Sequence, residues 1–243
     1  MLSITKPISS LKVLYLNHEI LQMNEMQFEN AREMMVNCQI RPNKVTDERV
    51  LNAFLSIPRE AFVAKHQRSI AYIDEDLMLT NGRCLMEPMV LSRLIQALET
   101  RIDDNVLVVG AGSGYGTAIM AQIAGSVIAI ETRTQLVDKA QETLANIGID
   151  NAAFIKSRLA DGYPEEGPYD RIIIEGGVEF VPDTLLNQLT PKGRLAAVKR
   201  IKGEAVGVAS LWTRAGDSFS CTPLFNAQVP NLDEFIAKTE FVF

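Results

Sequence analysis

Four glycines alternate with other residues at positions 110, 112, 114 and 116, within the stretch VLVVGAGSGYGTAIMA. They follow an apolar run and precede a helix-like segment, which is where a chain bends closely around a nucleotide at the carboxyl end of a strand. The dinucleotide pattern G-x-G-x-x-G is not met, because Tyr115 stands where its third glycine belongs. The P-loop is not met either, since no Gly-Lys-Ser/Thr ends the run. The remaining G-x-G-x-G favours S-adenosylmethionine, a nucleoside cofactor without phosphate.

Two acidic residues follow later strands in the same order. Glu131 ends SVIAIE, and an acid about 20 residues after the first glycine can accept hydrogen bonds from both ribose hydroxyls. Taken alone, this spacing fits NAD equally well. Asp161, in RLADGYP, is placed to meet the adenine edge, although Glu131 could instead cap a helix and Asp161 could make a turn before Gly162. Together they favour a nucleoside site at the switch point of a parallel sheet.

These positions define the expected cofactor site. No metal ligands are predicted. The residues expected to contact S-adenosylmethionine are Gly110, Ala111, Gly112, Ser113, Gly114, Tyr115, Glu131, Thr132, Ala160 and Asp161.

The elements that must position these residues follow a strand–helix order from residue 106. VLVVG, SVIAIE, AAFIKS and RIIIEG are short runs without alternation, typical of strands buried on both faces of a parallel sheet. Helical stretches at 115–124 and 133–147 separate the first three. A short helix in FVPDTLLNQL and a strand in GRLAAVKRI follow. The chain then predicts an antiparallel hairpin turning at Ala215-Gly216-Asp217. We expect an α/β fold, with an open, doubly wound, mostly parallel sheet and an antiparallel C-terminal hairpin.

The chain before residue 105 predicts a different organisation. We expect residues 1–26 to form a poorly ordered extension, because no core pattern includes them. Residues 27–104 form an N-terminal helical region, in which Thr46 and Asp47 are candidate helix caps. This region also holds a substrate-side loop, DLMLTNGRCLMEP, followed by the helix MVLSRLIQALET. Residues 105–243 form the cofactor-binding domain.

Composition limits the classes of function. The 243 residues are 47% hydrophobic and 22% charged, which suits one folded domain plus an extension. A net charge of −6 disfavours nucleic acid as a partner and favours a protein, peptide or small-molecule substrate. Three widely spaced cysteines predict neither a disulfide framework nor a zinc site, so we expect a cytoplasmic protein. No run reaches the ~18 apolar residues of a membrane span.

The sequence resembles the protein-L-isoaspartate (D-aspartate) O-methyltransferase family over roughly residues 36–200. The segments that carry the resemblance are VTDERVLNAFLSIPREAFV, LMLTNGRCLMEPMVLSRLIQAL, VLVVGAGSGYGTAIMA, VIAIE, ADGYPEEGPYDRIIIEGG and LLNQLTPKGRLAAV. The resemblance implies a Rossmann-like methyltransferase fold. It also implies transfer of a methyl group from S-adenosylmethionine to the abnormal carboxylate of isoaspartyl residues, a form of protein repair.

The chain departs from the family pattern beside the expected active site. Where the family has G-x-T-I-S-x-P, this chain has GRCLMEP, so that Cys84 and Met86 replace two hydroxyl residues. A thiol is a weak hydrogen-bond donor and a thioether is none. Val108 replaces a common acid before the glycine loop, Glu175 replaces a small residue after the fourth strand, and the loop after Asp161 is shortened.

Three functions remain open on these residues. A carboxylate acceptor is ionised near pH 7 and needs no general base, which suits a chain whose histidines are only His18 and His66, the latter expected at the surface. A phenol or amine acceptor would need a base, and Glu175 is the best-placed candidate. The third possibility is a protein that binds the cofactor without isoaspartyl activity. We rank isoaspartyl methylation first, with weak turnover expected.

Overall fold

The computed structural model describes residues 25–79, 82–201 and 203–237. Its main sheet has seven strands in the order β5-β4-β3-β6-β7-β8-β9, and a separate two-stranded sheet pairs β1 with β2. The strands are β1 Leu77–Met78, β2 Cys84–Leu85, β3 Asn105–Val109, β4 Ser126–Glu131, β5 Ala152–Lys156, β6 Tyr169–Val178, β7 Leu189–Lys199, β8 Gly207–Ala215 and β9 Ser218–Ala227. The helices are α1 at 25–35, α2 Glu48–Ser56, α3 Pro88–Leu98, α4 Tyr115–Ala121, α5 Thr134–Asn146 and α6 Asp183–Leu186.

The central five strands confirm the expected α/β architecture. β5, β4, β3, β6 and β7 are parallel, and β8 and β9 continue the sheet as an antiparallel hairpin around Gly216. The apolar runs form these strands because both of their faces are covered. In β3, for example, residues 106 to 109 are all fully buried.

The two faces of the sheet are covered by different kinds of element. On one face, Val106 and Val108 of β3 share a core with apolar residues of α2, α3, α4 and α5. On the other face, Leu107 and Val109 pack with α6, with short turns and with a segment at residues 232–235. The described residues thus place only the one-turn helix α6 on this second face. An extended segment completes its core.

Helices of the N-terminal region pack against the first face. α1 continues as a π turn, Val36–Ile40, and a 3-10 turn, Arg41–Asn43. Asp47 caps α2, because its carboxylate accepts a hydrogen bond from the Arg49 amide at 2.9 Å. Of the two candidate caps, Asp47 is the one that fills this role.

Two local expectations are wrong. The stretch DLMLTNGRCLMEP, expected as a loop, contains the antiparallel pair β1–β2, in which Met78 lies opposite Cys84. Within the region expected to be helical, the IPREAFV segment contains only the 3-10 turn Arg59–Phe62, since Pro58 precedes it in extended conformation. His66 is exposed, as expected.

Residues 1–24 lie outside the described ranges, so the prediction for the extension 1–26 is untested apart from residues 25 and 26, which are helical. The described helices include none that is long and apolar enough to cross a bilayer.

Candidate active site

Three of the chemically important residues occupy one row at the carboxyl edge of the parallel sheet. Val109 of β3 aligns with Ile130 of β4 and with Ile174 of β6. The residues that come next in each strand are Gly110, Glu131 and Glu175. Aligned residues of parallel strands project to the same face, so both acids face the side where α4 packs. The sheet therefore brings together the glycine loop and two carboxyl groups.

The glycine loop turns sharply and leads into α4. Gly110, Gly112 and Gly114 all have positive φ, at 74°, 54° and 90°, a region that glycine adopts without strain. The amides of Gly110 and Ala111 both donate to the Ile130 carbonyl, at 3.0 and 3.2 Å, which ties the loop to β4. The loop is thus held at the position that the sequence predicts for a nucleoside.

Glu131 is fully buried and its carboxylate is bound by protein donors. Arg83 donates from Nε to Oε2 at 2.9 Å and from Nη2 to Oε1 at 3.0 Å. The amides of Gly112 and Thr132 donate to the same carboxylate at 3.3 and 2.7 Å. Burial alone would raise the pKa of Glu131, but these bonds and the charge of Arg83 outweigh it and hold the pKa below its ordinary value. Glu131 is therefore an ionised, buried acceptor.

A second acid reaches the same arginine from the C-terminal part of the chain. Glu234 accepts from Arg83 Nη2 at 3.0 Å and from Nη1 at 3.4 Å, and its side chain is 27% exposed. Burial works against ionisation here too, and the hydrogen bonds to Arg83 lower the pKa of Glu234. Arg83, only 2% exposed, is thus shared by two carboxylates.

Leu232 fills the space beside the glycine loop. It is 2% exposed and belongs to the core of the second face. A Cβ placed on Gly110 would lie 3.1 Å from Leu232 Cδ1, and one on Gly176 would lie 2.5 Å from Leu232 Cγ. Leu232 consequently packs against the ends of both β3 and β6.

The Glu175 carboxyl group is buried in the protein, so it is not a solvent-exposed acid at the end of a strand. Its side chain packs so tightly against α4 that a Cβ on Gly116 would overlap its carboxyl group. Oε1 has no hydrogen-bond partner within the described residues. Burial, with a smaller contribution from the charge of Glu131, raises the pKa of Glu175 to about 8. The group is therefore protonated at neutral pH.

The residues at the family's hydroxyl positions are buried close by. Cys84 lies in β2, and burial raises the pKa of its thiol to about 12, so it is not a nucleophile near pH 7. Met86 is 1% exposed, and its carbonyl accepts from Arg59 Nη2 at 2.8 Å. Arg59 also donates to the Ala71 carbonyl at 2.6 Å, and its guanidinium lies 5.0 Å from the ring centroid of Tyr115. This arginine anchors the substrate-side segment to the glycine loop.

The remaining predicted contacts fall into two groups. Ala111 and Tyr115 are buried, while Ser113, Thr132 and Ala160 are partly exposed near the row of acids. Asp161 lies in a 3-10 turn after β5 and is 56% exposed, with its carboxylate 3.4 Å from Arg158. The structure therefore places Asp161 at the rim, paired with a surface arginine.

The types of residue present fit a nucleoside, because a carboxylate and a tight glycine loop lie at the ends of adjacent parallel strands. In this structure, however, the partners of Glu131 are Arg83, backbone amides and the Thr132 hydroxyl. Sequence reasoning missed Arg83, Leu232 and Glu234 as parts of the site. Arg83 carried a signal, since a cation that directly precedes the apolar run Cys84-Leu85-Met86 needs an acidic partner if it is buried. Leu232 and Glu234 carried none, because they lie far along the chain from the glycine loop.

The comparisons with known proteins agree with this architecture. A family model for protein-L-isoaspartate(D-aspartate) O-methyltransferase matches residues 30–210. A protein-L-isoaspartate O-methyltransferase of Methanoculleus marisnigri is 38% identical over 166 residues, covering 68% of this chain and 76% of the relative. A protein-L-isoaspartate O-methyltransferase 1 of Rhodopseudomonas palustris is 35% identical over 207 residues, covering 85% and 84%.

Solved structures extend the comparison to the fold. A protein-L-isoaspartate O-methyltransferase matches with a TM-score of 0.76 and 25% identity, over 84% of this chain and 67% of that one. A Plasmodium falciparum protein, described as a putative member of the same class in complex with S-adenosyl-L-homocysteine, matches with a TM-score of 0.69 and 22% identity, over 85% and 98%. With the family model spanning most of the chain, these likenesses lead to one conclusion: the chain belongs to the protein-L-isoaspartate (D-aspartate) O-methyltransferase family, and is a methyltransferase of the Rossmann-like class.

Proposed function

We propose that this chain transfers a methyl group from S-adenosylmethionine to the carboxylate of isoaspartyl residues in proteins or peptides. The observation that carries the proposal is the family match over residues 30–210, which includes the glycine loop and both acids of the row. Glu131 would hold the ribose, and the loop 110–114 would lie against the amino-acid part of the cofactor. Bound there, the cofactor supplies an electrophilic methyl group.

The chain's own residues suit an anionic acceptor. An isoaspartyl carboxylate needs no base, so the reaction depends mainly on alignment. Cys84 and Met86 contribute little to holding that carboxylate, because a thiol is at most a weak hydrogen-bond donor and a thioether is none. Glu175, whose pKa is raised to about 8, carries a proton at neutral pH. In this form Glu175 carries no negative charge that would repel a carboxylate acceptor.

A second acceptor class is favoured by one observation. The same pKa of about 8 makes Glu175 a possible general base for a phenol or amine at mildly alkaline pH. Its burial against α4 argues against this role, because a base must reach the proton that it removes. We therefore rank a phenol or amine acceptor second, as the alternative to an isoaspartyl carboxylate. The three free cysteines support a reducing, cytoplasmic location for either activity.

The decisive experiment measures methyl transfer from labelled cofactor to an isoaspartyl peptide, beside the same peptide with normal aspartate. We expect weak but selective methylation of the isoaspartyl form. Met86→Ser, alone or with Cys84→Thr, should raise the rate about ten- to a hundredfold, the effect of one hydrogen bond to a charged group of about 1.5–3 kcal/mol.

The matched control for this experiment is Met89→Ser, since Met89 lies in α3 outside the substrate-side loop. Strong turnover by the unchanged chain with no gain in Met86→Ser would refute the role assigned to residue 86. Methylation of neither peptide by either protein would direct the search to small-molecule acceptors, with Glu175→Gln as the test of a base.

A further inference from the structure

Residues 230–235, here called the C-terminal strap, run along the carboxyl end of β6. Gly177 donates its amide to the Pro230 carbonyl at 2.8 Å, and Leu232 donates its amide to the Gly177 carbonyl at 2.9 Å. Asn231 forms a parallel bridge with Gly177. The strap thus adds a short strand next to the residues that follow Glu175.

The strap places an apolar side chain among the predicted cofactor contacts. Leu232 packs against Gly110 at the end of β3 and against Gly176 at the end of β6. Leu159, which immediately precedes Ala160 and Asp161, faces the same Gly110. Leu232 therefore stands between the ends of β3 and β6, at the switch point where open α/β sheets bind their ligands.

The strap also contributes Glu234 to the ion cluster around Glu131, the residue proposed to bind the ribose. Glu234 and Glu131 bind the same Arg83 guanidinium, and Thr132 Oγ1 lies 3.4 Å from Glu234 Oε1. A ribose that bound Glu131 through both hydroxyls would need the acceptor positions that Arg83 now fills. The closed strap and the nucleoside therefore compete for one carboxylate.

We propose that the C-terminal strap and Arg83 together block the cofactor site, so that the strap must withdraw from the ends of β3 and β6 before the cofactor binds. The strap thus acts as a gate. The inference rests on the proposed cofactor. In the closed state, Arg83 is shared between Glu131 and Glu234, and Leu232 completes the apolar core. Since only the open fraction of molecules binds, the apparent dissociation constant rises in inverse proportion to that fraction.

The test compares binding of S-adenosylhomocysteine, measured by calorimetry, among the unchanged chain, Glu234→Gln and Leu232→Ala. Glu234→Gln keeps the size of the side chain and removes its charge, which weakens the closed strap. We expect its dissociation constant to fall about three- to tenfold. Glu142→Gln is the matched control, because Glu142 is exposed on α5, and its affinity should equal that of the unchanged chain.

Hydrogen exchange supplies a readout that needs no cofactor. The Gly177 and Leu232 amides are bonded only while the strap is closed, so in Glu234→Gln they should exchange faster without ligand. Addition of S-adenosylhomocysteine to the unchanged chain should accelerate the same two amides.

The outcomes separate the gate from the proposed function. Equal affinities in all variants, with the two amides protected further by the ligand, would overturn the gate and leave cofactor use intact. If no variant bound S-adenosylhomocysteine, including Leu232→Ala in its folded state, the proposed function itself would be overturned.

Discussion

Glu131 and Glu175 occupy the same row of the sheet, one strand to each side of β3, yet their carboxyl groups differ in protonation. Glu131 is ionised because Arg83 and backbone amides bind it. Glu175 lies behind α4, where burial dominates and the charge of Glu131 adds to it, so its pKa is raised. Two neighbouring acids with pKa values pushed apart are typical of an active site.

The raised pKa of Glu175 predicts an effect of pH on stability. The folded chain keeps a proton on Glu175 up to about pH 8, while the unfolded chain releases it near the ordinary value of 4.5. The folded state therefore binds more protons between these values, and its free energy of unfolding falls as pH rises from 5 to 8. Glu175→Gln carries no ionisable group and should not show this loss.

Urea unfolding at pH 5, 6.5 and 8 tests this prediction. The two proteins should be of similar stability at pH 5, and Glu175→Gln should be more stable at pH 8 by a few kcal/mol, since one pKa unit corresponds to about 1.4 kcal/mol. The exposed Glu142→Gln should follow the unchanged chain at every pH. Parallel curves for Glu175→Gln and the unchanged chain would show that Glu175 ionises in the ordinary range.

At the scale of elements, the entry into α4 packs closely against β5 and α5. Gly114 precedes the helix with φ of 90°. A Cβ there would lie 2.8 Å from Phe154 Cζ of β5 and 3.0 Å from Ala140 Cβ of α5. The glycine thus allows the loop to approach two other elements as well as to turn.

Gly114→Ala should therefore lower the free energy of unfolding by about 2–6 kcal/mol, because backbone strain and overpacking each contribute about 1–3 kcal/mol. Gly216→Ala is the matched control, since Gly216 also has positive φ, 65°, but no atom within 4 Å of the new Cβ. Chemical denaturation should show a loss of about 1–2 kcal/mol there, from strain alone. Equal losses at both sites would contradict the packing argument.

The strands were predictable and their long-range partners were not. VLVVG, SVIAIE and RIIIEG form parallel strands because unbroken apolar runs require cover on both faces, and Asp47 caps α2 because a short acid satisfies free amides. The β1–β2 pair was missed because each strand has only two residues, too few to show alternation.

For the whole molecule, the sequence did not predict which segments cover the second face of the sheet. A doubly wound sheet predicts helices on both faces, whereas here the strap contributes Leu232 and Phe235 to the second core. The spacing of apolar residues indicates which residues are buried, but it does not indicate which distant segment packs against them. The positions of Glu131 and the glycine loop in the sheet followed from the sequence, but the ion cluster with Arg83 and Glu234 required the fold.

The burial of Cys84 has a consequence for the kinetics of thiol labelling. Cys38 and Cys221 are exposed, whereas Cys84 adjoins Arg83 and its thiol has a pKa of about 12. Because the thiolate is the reactive form, a disulfide reagent should modify two thiols rapidly and the third slowly. Urea should make all three react at similar rates, and three equal rates in the native protein would contradict the burial. The slow phase, compared with the rate in urea, then gives the fraction of time for which the Cys84 thiol is exposed to solvent.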